Sequence, residues 1–282
     1  MNMEQEHFDT TITARSGWFD INLREVWRYR DLALLFVRRN FVSLYKQTIL
    51  GPAWAVIQPL LTTVFFTVIF GNLAGLAAKG TPSFLFYMSG TVAWGYFAGC
   101  LTQTAATFTG NASIMGKVYF PRLVMPISAV LTGLISFAIQ GGMFLCFYGY
   151  YFCRGVVQPT WYLLLLPLLV LQMAMLGLGC GVIISALTTK YRDLVHLISF
   201  GMQLWMYGTP VAYDIKIIPA KYLSLYMLNP MTPVINAFRH AFLGLGRFDW
   251  YYYGISWLVT LFVLSLGVIL FSRVEKTFMD TI

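Results

Sequence analysis

Six apolar stretches, each about as long as a helix needs to cross a hydrocarbon layer, most constrain what this chain can fold into. They run over about 53–76, 84–106, 123–152, 161–186, 194–213 and 252–272. In a bilayer every backbone N–H and C=O must be satisfied within the chain, so runs of this kind form helices. Of the residues, 58% are hydrophobic and 11% are charged, against about 25% charged in soluble domains. One soluble core of this size cannot hide that much apolar surface. The expected fold is an all-α integral membrane protein with six transmembrane helices. The third stretch is long enough to require tilt or a break, and Gly141-Gly142 is the place for a break. Met1 to Asp20 carries acids and no apolar core, so no cleavable signal peptide is expected.

The formal charge of +8 sits mainly beside the spans, which favours membrane orientation and anionic head groups over nucleic acid as its explanation. With the N-terminus inside, the cytoplasmic bases include Arg15, Arg24, Arg28, Arg30, Arg38, Arg39, Lys46, Lys117, Arg122, Lys190, Arg192, Arg273 and Lys276. The outer bases are fewer: Lys79, Arg154, Lys216, Lys221, Arg239 and Arg247. Both termini are therefore expected in the cytoplasm, although the last outer loop holds four of those six bases.

None of the eleven acids falls inside an expected span. Proton-coupled carriers keep intramembrane carboxylates for their relays, so a proton-driven transporter or ion pump is disfavoured. The spans offer amides instead: Gln58, Gln103, Gln140, Gln172 and Gln203. These suit interhelical bonds or a hydroxyl-rich cargo. Cys100, Cys146, Cys153 and Cys180 form no C-x-x-C pair and read as packing residues, with no disulfide and no metal expected. Gly95-x-x-x-Gly99 and Gly177-x-x-x-Gly181 permit close helix approach, either within the chain or at a dimer seam.

No nucleophile–base constellation is present, so no catalytic residue and no enzyme activity are expected. Gly110–Lys117, "GNASIMGK", misses the phosphate-loop pattern, with five residues between its glycines and Val118 after the lysine. Any ATP and Mg would therefore be bound by a partner and not by this chain.

Two connections carry patterns of their own. Asn22-x-x-Glu25 resembles a capping box and opens a helix over about 23–48. Leu34, Val37, Phe41, Leu44 and Tyr45 fall on one side of it, and Arg28, Arg39, Ser43, Lys46 and Gln47 on the other. Such a helix is expected to lie in the membrane interface, with Leu50-Gly51-Pro52 turning the chain into the bilayer. Between the fifth and sixth spans, Asp214–Trp250 is too apolar for an ordinary loop, and Pro219, Pro230 and Pro233 cut it into short pieces. Helices over about 219–227 and 232–244 are expected, re-entrant and shallow, with Lys216, Lys221, Arg239 and Arg247 near the surface.

Taken in order, "RDLALLFVRRNFVSLYKQTILGPAWAVIQPL" from Arg30, "KVYFPRLVMP" from Lys117, "YRD" from Tyr191, "YGTPVAY" from Tyr207, "LNPMTPVI" from Leu228 and the ending "RVEKTFMDTI" resemble the membrane subunit of ABC-2 type polysaccharide exporters. That family moves O-antigen, capsule or teichoic acid chains. The resemblance implies a homodimer bound to two copies of a cytoplasmic ABC ATPase, in the cytoplasmic (inner) membrane, exporting a lipid-linked glycan. It implies a coupling helix in the 110–122 loop, where Lys117, Tyr119 and Arg122 are the ATPase-coupling candidates. Arg38, Arg39, Lys46, Leu50 and Gly51 are the substrate-entry candidates. Trp54, Gln58, Phe200, Gln203 and Tyr207 are the channel-lining candidates, since aromatic faces and amides suit a sliding sugar polymer. The domain organisation expected is a cytoplasmic tail over 1–22, the interfacial helix and turn over 23–51, the six-helix domain over 52–272 and a second tail over 273–282. The rival readings are an ABC-2 exporter of drugs or lipids, and a channel or scaffold without ATP coupling.

Overall fold

The structure is a computed structural model that describes residues 23–46, 48–107, 110–111, 120–188, 194–246 and 248–278. The described residues are helical, with no strand among them. In chain order the helices are α1 (Leu23–Arg28), α2 (Arg30–Tyr45), α3 (Trp54–Phe66), α4 (Ser83–Ala105), α5 (Val124–Cys153), α6 (Leu166–Thr188), α7 (Leu194–Tyr207), α8 (Ala220–Met227), α9 (Met231–Leu243) and α10 (Trp250–Phe278).

Among the described residues five helical segments are long and apolar enough to cross a membrane: Gly51–Leu73, Ser83–Ala105, Val124–Cys153, Trp161–Thr188 and Trp250–Phe271. They match five of the six expected spans closely. The expected span over 194–213 is not a sixth of that length. It is α7, 14 residues, about 21 Å at the helical rise, against a hydrocarbon core of about 30 Å. Gly208 and Pro210 end it, since Pro210 has no N–H for another helical turn. The break expected at Gly141-Gly142 is also absent: α5 runs unbroken through both glycines for 30 residues.

α4 is the central helix. Within its apolar window 72% of residues are buried, against 17–33% for the other four segments, so α4 is enclosed while the others leave apolar faces outward. α6 packs on it through glycine. A Cβ on Gly177 would stand 2.6 Å from Cys100 Cβ, and one on Gly181 would stand 2.5 Å from Thr104 Cβ. The opposite face of α6 meets α10, where a Cβ on Gly179 would stand 2.8 Å from Leu264 Cα. The Gly177-x-x-x-Gly181 motif is therefore an intramolecular seam, which van der Waals contact between close backbones stabilises. Buried Gln172 strengthens the α6–α10 contact, donating to Ser256 Oγ at 2.7 Å.

α2 docks at one end of this bundle. Ala33 and Phe36 pack with Phe120, Val124 and Met125 at the start of α5, Val182 near the end of α6, and Phe271 in α10. The buried stripe of α2 is Ala33, Phe36 and Val37; of the side expected to be apolar Val37 is in it, while Leu34 is 60% exposed and Leu44 48% exposed. Leu34, Leu35, Val42 and Leu44 leave apolar groups on most sides of the helix, so hydrophobic patterning alone could not choose its packed face. The opposite end of the bundle holds α8 and α9. Their bounds match the expected pieces, set by Pro219 before α8 and Pro230 before α9.

Candidate functional site

The chain enters the bundle through a sharp turn. After α2 the backbone reaches Gly51 at φ +51°, the left-handed region that favours glycine. Pro52 then begins a helical turn, Gly51–Ala53, that leads into α3. Leu50 and Gly51 thus form the expected hinge between a peripheral helix and a spanning one.

Beside that turn α3, α4 and α5 enclose an open cleft of about 440 Å³. Trp54, Gln58 and Thr62 line it from α3, Thr91, Trp94 and Gly95 from α4, and Ser136 and Gln140 from α5. Leu44 and Tyr45 of α2 close one side, and Met206 of α7 reaches it. Among the described residues the lining has aromatic faces, amides and hydroxyls and no charged residue. Gly95 keeps the α4 wall low, a Cβ there lying 3.5 Å from Gln140 Oε1. Such a surface offers hydrogen bonds without a fixed charge to trap a ligand.

A second hollow, of about 430 Å³, lies beyond Leu44, which lines both. Its walls include Arg39, Asn40 and Ser43 of α2, Gln103 at the end of α4, Thr107, Gly110 and Asn111 just after it, and Ser128 in the first turns of α5. Arg39 Nη2 donates to Asn111 Oδ1 at 2.7 Å, and its guanidinium carbon lies 4.8 Å from the Phe36 ring centre. Asn111 Nδ2 donates back to the Thr107 carbonyl at 3.1 Å. The peripheral helix is thereby bonded to the beginning of the 110–122 loop.

At the far end α8 and α9 form a helical hairpin, two side chains of which grip the Tyr207–Tyr213 segment. Asn229 Nδ2 donates to the Gly208 carbonyl at 3.2 Å and to Thr209 Oγ1 at 2.8 Å, while its Oδ1 accepts from Trp205 Nε1 at 3.0 Å. Arg239 is 3% exposed and donates to the Pro210, Val211 and Tyr213 carbonyls. Its guanidinium carbon stands 3.7 Å from the Phe86 ring centre. Burial lowers its pKa to about 9, against the opposing pull of Asp214, Tyr87 and Tyr213, so it remains a cation at neutral pH. Arg239 was expected near the surface with the other outer bases. It lies inside, because carbonyls freed by the Gly208–Pro210 break supply the partners that water would otherwise give.

Of the expected channel-lining residues, the structure brings Trp54 and Gln58 together in the cleft. Phe200, Gln203 and Tyr207 share one exposed face of α7, while Met202 and Trp205 turn toward the bundle. Among the described side chains of this helix Met206 alone reaches the cleft. Among the entry candidates Arg38 is exposed on α2 and Lys46 is exposed just after it, and Arg39 is half-buried in the second hollow. Lys117 and Tyr119, with the expected coupling helix, lie outside the described residues; Arg122 is half-buried just before α5. Sequence reading missed Thr91, Trp94 and Ser136 in the cleft and gave no role to Asn229. Asn229 had a signal, since Asn before Pro favours a turn that caps a helix. The others had none, because their place depends on which helices become neighbours.

Comparison with known proteins agrees with this architecture. The chain is 27% identical over 254 residues to the O-antigen export system permease protein RfbA of Klebsiella pneumoniae, covering 89% of this chain and 94% of that one. It is 28% identical over 226 residues to the RfbA of Myxococcus xanthus, covering 78% and 83%. It is also similar to the inner membrane transport permease YadH of Escherichia coli K12, at 21% identity over 221 residues, covering 73% and 80%. Residues 32–243, from α2 to the end of α9, match the family described as ABC-2 type transporter. That match takes in the turn, both hollows and the gripped hairpin, and the chain belongs to the ABC-2 type transporter family.

Proposed function

We propose that this chain is the membrane permease of an ATP-driven exporter that carries a lipid-linked polysaccharide across the cytoplasmic membrane. Two copies would form the translocation path, bound to two copies of a separate cytoplasmic ABC ATPase that holds ATP and Mg. Both termini lie on the ATPase side in this reading. The observation that carries it is the uncharged lining of the 440 Å³ cleft, where Trp54 and Trp94 stand among Gln58, Thr62, Thr91, Ser136 and Gln140. Sugar rings have apolar C–H faces and polar edges, so aromatic faces with dispersed hydrogen-bonding groups suit them. Many weak contacts also let a polymer slide where one tight contact would hold it. The similarity to O-antigen export permeases over nearly the whole chain supports the same cargo class.

The remaining roles extend that reading. Lys117, Tyr119 and Arg122 meet the ATPase. Arg38 and Lys46 guide the charged end of the lipid-linked cargo toward the Leu50-Gly51 turn. Phe200, Gln203 and Tyr207 face the second copy across the path, which gives their exposed face on α7 a partner. Deleting the chain tests the reading. Lipid-linked glycan should accumulate on the cytoplasmic side, and restoring the chain should clear it only when the ATPase is also present. Clearance without any ATPase, or no glycan accumulation on deletion, would overturn it, the latter pointing to a drug or lipid cargo.

A further inference from the structure

The hollow around Arg39 differs in chemistry from the cleft beside it. It holds a half-buried guanidinium, which pairs with no carboxylate of the described residues. Arg39 draws the amide oxygens of both neighbours to itself, Asn40 Oδ1 at 3.1 Å and Asn111 Oδ1 at 2.7 Å. The amide N–H groups of Asn40 and Gln103 and the Ser43 hydroxyl make no hydrogen bond within the described residues, although all three residues line the hollow. A cation ringed by free donors, with no counter-charge among the described residues, is a receptor for an anion with several oxygens.

Position identifies the source of that anion. Gln103 ends α4 and Thr107 lies just beyond it, while Met125 and Ser128 begin α5, so the hollow sits where two spanning helices meet the membrane surface. Lipid phosphates lie at that level. The space, about 430 Å³, is that of a head group and not of a bare ion. We propose that this hollow binds the phosphate of an anionic lipid head group, held by Arg39 with Asn40, Ser43 and Gln103. The occupant bridges α2 to α4 and α5, and so steadies the peripheral helix beside the turn into α3. The inference does not depend on which cargo is exported.

Native mass spectrometry of the purified full-length protein tests it, with phosphatidylglycerol, phosphatidylcholine or a long-chain isoprenyl diphosphate added in turn. Wild type should retain phosphatidylglycerol at roughly tenfold lower concentration than phosphatidylcholine, the change expected for one charge-assisted contact. Arg39→Gln should abolish that preference and Arg39→Lys should keep part of it. Gln103→Leu leaves the Arg39–Asn111 bond in place and should also weaken the preference, whereas Arg30→Gln, on the exposed side of α2, should not. A preference for the diphosphate alone, lost in the same variants, would keep the anion site and make its occupant the cargo lipid. No preference for either anion, or one that Arg39→Gln and Gln103→Leu leave unchanged, would overturn the proposal and leave Arg39 as a strap between α2 and Asn111.

Discussion

Arg239 donates from Nη2 to the Val211 carbonyl at 2.6 Å, although 28 residues separate them and neither is at the protein surface. The contact joins α9 to the turn that ends α7. Gly90 of α4 makes room for it, since a Cβ there would stand 2.7 Å from Arg239 Nη2 and 3.2 Å from the Val211 carbonyl oxygen. Three elements thus meet around one guanidinium, and the hairpin is fixed to α7 as one unit.

Arg239→Met should destabilise the protein by roughly 3 kcal/mol, because it strands several buried carbonyls as well as removing the cation. Arg239→Lys should fall between, as one ammonium cannot reproduce a planar fork over an aromatic ring. Gly90→Ala should destabilise too, yet add little in the Arg239→Met background, where the crowded atom is gone. Thermal unfolding in detergent measures the four variants against the wild type. Full additivity would show that Gly90 and Arg239 act independently.

Glycines in α5 and α6 should respond in opposite directions. Gly181→Ala places its Cβ 2.5 Å from Thr104 Cβ and 2.7 Å from the Leu101 carbonyl oxygen, which the helix pair can relieve only by separating. A loss of about 1–3 kcal/mol is expected. Gly141→Ala and Gly142→Ala meet nothing within 4 Å and sit mid-helix, so each should stabilise by about 0.5–1 kcal/mol. Destabilisation by either would restore the break that the sequence suggested there.

Sequence reading recovered the features that local chemistry dictates. The five long spans, the Leu50-Gly51 turn and the proline-bounded pieces near 219–227 and 232–244 all follow from hydrophobic length and from Pro and Gly punctuation. It failed where tertiary neighbours decide. α2 carries apolar residues on most sides, so nothing local could choose Phe36 over Leu34 as its packed residue. Arg239 read as a surface base because its partners are main-chain carbonyls, which leave no trace in residue identity. Two of the five expected lining residues, Trp54 and Gln58, meet in one cleft. Phe200, Gln203 and Tyr207 were placed correctly on a common helix face, but that face looks away from the bundle.

Within the cleft, the double substitution Trp54→Ala with Gln58→Ala should slow export about tenfold, as expected if two weak contacts together contribute ~1.4 kcal/mol. Each single change should have a smaller effect, because no one contact holds the polymer. The measurement is surface glycan per unit of permease in the membrane. One single change as severe as the double would instead indicate a specific tight site.

Photo-crosslinking tests the assignment of the cleft to the glycan most directly. A photoreactive side chain placed at Gln58 or Gln140 should capture glycan in cells that contain the ATPase, and capture should change when ATP hydrolysis is blocked. The same group at Leu258, 68% exposed on the outward face of α10, should capture none. Glycan captured at Gln58 and Gln140 but not at Leu258 is the predicted result. No capture at either cleft position, with export still active, would contradict passage of the polymer through this cleft.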